Sequence, residues 1–271
     1  MTTPVPRVLT IAGSDSGAGA GIQADIKTVM ALGGYCQTAI TALTAQDTRG
    51  VGAVQPVPAS FIRRQIHMAF DDIGVDAVKT GMLHSVEVIE TVAQALSQRS
   101  GVPVVVDPVM VAKGGARLLD RDAVNALLSA LLPLTSLLTP NVPEAESLAG
   151  MSIHDTADMA RAAESLKKRG AGAVLVKGGH MPGQQVVDLL LWSGGVTRFA
   201  DARIASRNTH GTGCTLAAAI ACGLAAGIPL DKAVARARAF VRQAIIRAPG
   251  LGHGQGPLGH AAAQCSDTAD G

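Results

Sequence analysis

The segment His210-Gly211-Thr212-Gly213-Cys214-Thr215 stands directly before Leu216–Gly227, a run of small and apolar residues that reads as a buried helix. A two-glycine loop that opens a helix leaves backbone N–H groups free and aims them, with the positive end of the helix dipole, at one point. That is an anion site, for phosphate above all. A cysteine in the first turn of such a helix has its thiolate favoured by the same field. Gly211, Thr212 and Gly213 could thus form an oxyanion hole with Cys214 as a base beside it. The plainer alternative is a tight helix entry with an inert buried cysteine. Of the seven histidines, His210 matters because it abuts this loop. The others are scattered without metal-binding spacing.

Other residues able to do chemistry follow short apolar runs: Gly13-Ser14-Asp15, Gln46, Gly81-Met82, Asp107, Asn141 with Glu144, and Lys177-Gly178-Gly179. The Gln46 amide donates and accepts at once, which suits an aminopyrimidine edge, although a lone loop glutamine is as readily a solvated one. Asp25, four residues beyond Gly21, either complements a helix dipole or faces a ligand beside the loop. Asp107 precedes a proline, where a carboxylate faces a site or caps the next turn. Asn141 and Glu144 stand at i and i+3 where a helix starts, so both lie near one face. They could hold Mg²⁺ through water, or be a helix N-cap with its N3 acid. Lys177 and Lys79 end strands, where each either reaches a phosphate as a point charge or is merely exposed.

Gly13–Gly21 is not a Walker A loop, since no Gly-Lys-Ser/Thr closes it. Gly19–Ala24 fits the looser G-x-G-x-x-A dinucleotide pattern, but no acidic residue ends the following strand. A nicotinamide-dependent oxidoreductase is therefore a disfavoured rival, and a ligand-binding regulator is another.

The elements that must position these residues alternate along the chain. Strands are expected at 5–12, 35–43, 77–80, 102–106, 136–139 and 173–177, and a hairpin at 186–192 and 196–200. Helices are expected at 22–32, 59–72, 85–98, 120–132, 143–148, 155–169, 215–226 and 230–247, and a polar loop at 44–52. Strands separated by helices argue for an α/β fold with a mostly parallel sheet covered on both faces. In such sheets ligands bind beyond the carboxyl ends of the strands, where the residues above fall. No linker or repeat divides the chain, so one domain over 1–271 is expected, with 261–271 a flexible tail.

Composition excludes several classes. Net charge is +2 and aromatics make up 2%, which leaves neither an electrostatic footprint nor a stacking surface for nucleic acid. The four cysteines form no C-x-x-C pair. Residues 1–7 lack the pattern of a signal peptide, and no apolar run approaches the roughly 18 residues of a membrane span. A cytoplasmic protein is the expectation.

The runs Thr10–Asp25, Thr41–Gly50, Lys79–Leu83, Val106–Met110, Thr139–Ala145, Val176–His180, Asn208–Thr215 and Gly252–Pro257 together resemble the hydroxymethylpyrimidine/phosphomethylpyrimidine kinases of thiamine biosynthesis. They run in order over nearly the whole chain. The resemblance implies a ribokinase-like, three-layer α/β/α sandwich. It implies ATP and Mg²⁺, and phosphorylation of 4-amino-5-hydroxymethyl-2-methylpyrimidine to its monophosphate and then its diphosphate. It implies that Gln46 binds the pyrimidine with Gly13, Asp25, Met82 and Val109 around it. By the same resemblance Asp107 and Glu144 serve Mg²⁺-ATP, with Asn141 beside them, and Lys177 contacts phosphate. Cys214 holds the position where ribokinases proper usually carry an aspartate base. Ala18 and Ala20 stand where glycine is often seen. The resemblance also implies a homodimer and leaves a pyridoxal kinase as a neighbouring alternative.

Overall fold

The computed structural model describes residues 4–110 and 121–263. Nine strands form one sheet: β1 (Arg7–Asp15), β2 (Tyr35–Gln46), β3 (Val51–Pro56), β4 (Ala77–Thr80), β5 (Val104–Val106), β6 (Leu137–Leu138), β7 (Val174–Val176), β8 (Gln185–Trp192) and β9 (Gly195–Ala202). Their spatial order is β3-β2-β1-β4-β5-β6-β7-β8-β9. The six strands from β2 to β7 in that order pair in parallel, while β3 runs antiparallel to β2, β8 to β7 and β9 to β8.

The helices are α1 (Gly21–Ala31), α2 (Ala59–Asp71), α3 (Val86–Ser97), α4 (Arg121–Ala126), α5 (Val142–Ala149), α6 (Thr156–Lys168), α7 (Thr212–Ala225) and α8 (Leu230–Ile246). Successive strand side chains point to opposite faces, and here both faces are covered. Leu9, Val78, Val104, Val106 and Leu138 pack under α2 to α6. Val8, Ala77, Val105, Leu137 and Leu175 pack under α1, α7 and α8. Apolar runs such as Val104–Val106 lack polar alternation for this reason. The result is the expected three-layer α/β/α sandwich.

Small residues let α7 sit close to its neighbours. A Cβ on Gly223 would lie 3.0 Å from the Ala233 Cβ of α8.

Three expectations are corrected. The polar loop at 44–52 is instead the end of β2, a short turn and β3, paired from Ala42↔Pro56 to Gln46↔Val51. This hairpin is a solvent-facing edge, so it needs no apolar alternation and leaves no such signal. The regular helix expected over 120–132 is α4 followed by a wider π turn at Leu127–Leu131 and a tighter 3₁₀ turn at Leu132–Leu134. Pro133, which cannot donate to the ladder, falls within that last turn; position 120, where the helix was expected to start, lies outside the described residues. Of the tail, His260–Ala262 form a 3₁₀ turn and Ala263 is buried, while the remainder lies outside the described residues.

Candidate active site

A cleft of about 1010 Å³ opens beyond the carboxyl ends of the parallel strands. Each expected strand-end group reaches it: Gly13 from β1, Gln46 from β2, Met82 after β4, Asp107 and Val109 after β5, Asn141 and Glu144 after β6, and Lys177 after β7. Gly211, Thr212, Gly213 and Cys214 line it from the start of α7.

The two glycine loops, far apart in sequence, are in contact. Gly211 begins α7 at φ +85°, a left-handed conformation suited to glycine. A Cβ there would lie 1.9 Å from the Gly19 carbonyl oxygen. On the other side, a Cβ on Gly19 would lie 2.2 Å from His210 Cδ2. Gly211 is therefore needed for the backbone of one loop to lie on the other, and Gly19 leaves room for the His210 imidazole.

Asp15 organises the first loop. Its carboxylate accepts from the N–H groups of Gly17 (2.8 Å), Gly19 (3.0 Å) and Ala20 (2.8 Å), and contacts His210 Nε2 at 2.9 Å. Burial disfavours its charge, but these donors outweigh burial and hold its pKa below the ordinary aspartate value.

At the head of α7, Lys177 Nζ lies 2.8 Å from Asp107 Oδ1. A Cβ on Gly213 would stand 3.2 Å from Asp107 Oδ2 and 3.3 Å from Lys177 Nζ, so this pair abuts the anion loop. Burial works against the Lys177 charge, but Asp107 and Glu144 together raise its pKa. The ammonium is retained beside the loop.

Glu144 closes a full capping box with Asn141. Its Oε2 accepts from the Asn141 N–H at 2.8 Å, and Asn141 Oδ1 accepts from the Glu144 N–H at 3.0 Å. The helix-cap reading is thus the observed one, and the capping pair also lines the cleft. Burial, opposed by Lys177 and aided by Asp107, pushes the Glu144 carboxyl up to about 7.

Cys214 occupies the first turn of α7, and the Gly21 N–H at the start of α1 acts to lower its pKa. Two helix N-termini thus converge on it. The expected favoured thiolate is nonetheless not found. Burial dominates and pushes the thiol up to about 11, with Lys79 acting in the opposite direction.

Lys79 and Asp25 depart from their sequence readings. Lys79 is not exposed: both side chains are fully buried, and Lys79 Nζ lies 2.8 Å from Asp25 Oδ2. Thr10 Oγ1 donates to the same carboxylate oxygen. Asp25 lies beneath the site and takes no part in its lining, whereas Lys79 reaches the floor near Gly81. Burial disfavours the Lys79 ammonium, but the negative groups around it, Asp25 foremost, raise its pKa.

Sequence reasoning singled out Gln46 but not what holds it. Ser16 Oγ donates to the Gln46 carbonyl at 2.9 Å and accepts from its N–H at 2.8 Å. Asp15 stood among the strand-end residues without a role assigned to it, and Thr44 was not selected. The Asp15-x-Gly17 spacing at a strand end was the available signal for the first.

Among the described residues no group of three or more His, Cys, Asp or Glu side chains is placed to hold a metal. No described helix is long and apolar enough to cross a membrane.

The phosphomethylpyrimidine kinase family model matches residues 15–259. The chain is 52% identical over 255 residues to the hydroxymethylpyrimidine/phosphomethylpyrimidine kinase of Rhizobium meliloti, covering 93% of this chain and 96% of that one. It is 54% identical over 259 residues to the thiamine biosynthesis bifunctional protein ThiED of Geobacter sulfurreducens, covering 95% of this chain but spanning 53% of that protein's length. Among solved structures, pyridoxal kinase from Staphylococcus aureus in complex with ADP superposes with a TM-score of 0.89 at 36% identity, covering 96% of this chain and 94% of that one.

Proposed function

Since the chain belongs to the phosphomethylpyrimidine kinase family, we propose that it transfers the γ-phosphoryl group of ATP to 4-amino-5-hydroxymethyl-2-methylpyrimidine, and then a second one to the monophosphate. The observation that carries this is the convergence of the Gly211–Cys214 turn, Lys177 and the Gln46 amide on one cleft.

Phosphoryl transfer asks a protein for position and charge more than covalent chemistry. The N–H groups of Gly213 and Cys214 at the start of α7 supply fixed donors for the charge spread over the transferring oxygens, while the Thr212 N–H points to the Thr209 carbonyl at 3.4 Å. Lys177 adds a retained positive charge beside them. Gln46 offers a donor and an acceptor to the aminopyrimidine edge, with Gly13, Met82 and Val109 around it. A cation such as Mg²⁺ fits Asp107 and Glu144. Two carboxyl groups that line one cleft suit an ion held by one or two carboxylates, water and substrate phosphates. When bound it would screen the charge of the phosphates. Asn141 keeps Glu144 in place through the capping box.

Cys214, at about 11, holds its proton at neutral pH. In this proposal the small thiolate fraction that remains takes up the hydroxymethyl proton late, becoming the thiol as charge moves onto the phosphoryl group, and the Cys214 backbone N–H donates throughout. Asp25 acts from below, by fixing Lys79.

One sheet joins all nine strands, which supports reading the chain as one kinase domain; a homodimer and a cytoplasmic location belong to the same proposal. A pyridoxal kinase is the second reading, favoured by the ADP-complexed structural neighbour. The dinucleotide reading of Gly19–Ala24 loses support because Gly19 is closed against Gly211 and His210.

Purified protein with Mg²⁺-ATP and the pyrimidine alcohol should yield the monophosphate and then the diphosphate by mass spectrometry. Fed the monophosphate alone, it should yield the diphosphate. Absence of both products would refute the proposal.

A further inference from the structure

The contacts of Gln46 set a hydrogen-bond problem with one consistent solution. Thr44 Oγ1 lies 2.9 Å from the Ser14 carbonyl oxygen and 3.2 Å from Gln46 Oε1. A hydroxyl has one proton, and Ser14 O can only accept, so Thr44 has none left for a second oxygen. On the other side, His210 Nε2 lies 2.9 Å from Asp15 Oδ2 and 3.1 Å from Gln46 Nε2. The Asp15 carboxylate can only accept, so His210 Nε2 must carry a proton. An amide NH₂ facing it then sets donor against donor.

The two ends of a glutamine amide are alike in shape, and turning it over removes both conflicts. Its oxygen then accepts from His210 Nε2–H, a proton shared with Asp15. Its nitrogen donates to the Thr44 oxygen, which still donates to Ser14 O. We infer that Asp15 and His210 are positioning residues that fix the polarity of the Gln46 amide, with carbonyl toward His210 and amino group toward Thr44.

The pair is built for the task. Asp15 is 3% and His210 6% exposed, and Gly19 leaves room for the imidazole. The Gln46 backbone is clamped by Ser16, and the His210 N–H is held by the Gly256 carbonyl at 3.2 Å. One lone pair of the amide oxygen and one N–H of its nitrogen remain for a ligand. Their order along the cleft is set: acceptor on the His210 side, donor on the Thr44 side. This rests on the kinase proposal for its ligand, but the amide polarity itself does not. A ring with an exocyclic amine beside a ring nitrogen can meet both ends in one orientation. A ring lacking the amine leaves the carbonyl unpaired.

The test has two arms on the full chain. In ¹⁵N-histidine-labelled protein, long-range proton–nitrogen correlation should show His210 protonated on Nε2, its signal identified by its loss in His210→Gln. A bare Nε2 would overturn the inference. This arm needs no substrate, so it stands apart from failure of the kinase proposal. In kinetics, the readout is the ratio of kcat/KM for the aminopyrimidine alcohol to that for its analogue lacking the amine. His210→Gln should lower this ratio about tenfold, the scale of one hydrogen bond, with KM for ATP held within about twofold. Thr44→Val, nearly isosteric, should lower it several-fold. An unchanged ratio in both variants, with both substrates falling together, would contradict a positioning role and indicate a structural one.

Discussion

Lys79 Nζ lies 2.8 Å from Asp25 Oδ2 with both side chains fully buried, beneath the turn that carries Cys214. Removing one partner of such a pair strands a charge without solvent. Lys79→Met should cost about 3–5 kcal/mol in urea unfolding. The double variant Lys79→Met/Asp25→Leu should recover most of that, because it strands nothing. A double variant as unstable as the single would contradict this account.

His260 supplies the pH dependence. It is buried, its Nε2 lies 2.9 Å from Thr215 Oγ1, and burial lowers its pKa from 6.5 to about 4. Between those values the unfolded chain binds a proton that the folded one refuses. Stability should therefore be full above pH 6.5 and fall by roughly 2–3 kcal/mol as pH drops to 4. His260→Gln should flatten that part of the stability–pH curve. An equally steep curve in the variant would assign the loss to other groups.

Ala18 sits at φ +59°, a region that costs a residue with a Cβ roughly 1–2 kcal/mol. Glycine there loses part of that gain to unfolded-state entropy. Ala18→Gly should leave Tm unchanged or raise it by about 2 °C. A clear fall in Tm would show that the alanine methyl is making contacts that outweigh its strain.

These cases mark what the sequence could and could not convey. Val8 against Leu9 and Val104 against Val105 announced a sheet buried on both faces, and the strand-end positions of Gln46, Asp107 and Lys177 announced where a site would form. The joining of Gly19 to Gly211, nearly two hundred residues apart, had no local signature. Nor did the burial of Lys79, because a lysine at a strand end looks the same whether an aspartate waits beneath it or not. The β3 edge was hidden because a solvent-facing hairpin imposes no apolar pattern. Of the two readings of Cys214, the sequence could show the helix dipole that favours a thiolate but not the desolvation that opposes it.

Cys214 can be examined through its proton. With its thiol at about 11, alkylation by iodoacetamide, mapped by peptide mass, should be slow at pH 7 and still accelerating at pH 10. Cys214→Ala should lower kcat by about 10²-fold or more, the scale of a lost acid–base group, with KM for the pyrimidine within a few-fold. Unchanged kcat would restrict this residue to its backbone N–H.

The most direct test of the central claim is a competition in one vessel. Equal concentrations of 4-amino-5-hydroxymethyl-2-methylpyrimidine and pyridoxal are offered to the enzyme with limiting Mg²⁺-ATP, and the phosphorylated products are quantified by mass spectrometry. The account predicts that pyrimidine monophosphate and diphosphate dominate, because Gln46 pairs with the amine and ring nitrogen of one ring and not the other. Pyridoxal phosphate as the main product, or no phosphorylated product at all, would contradict it.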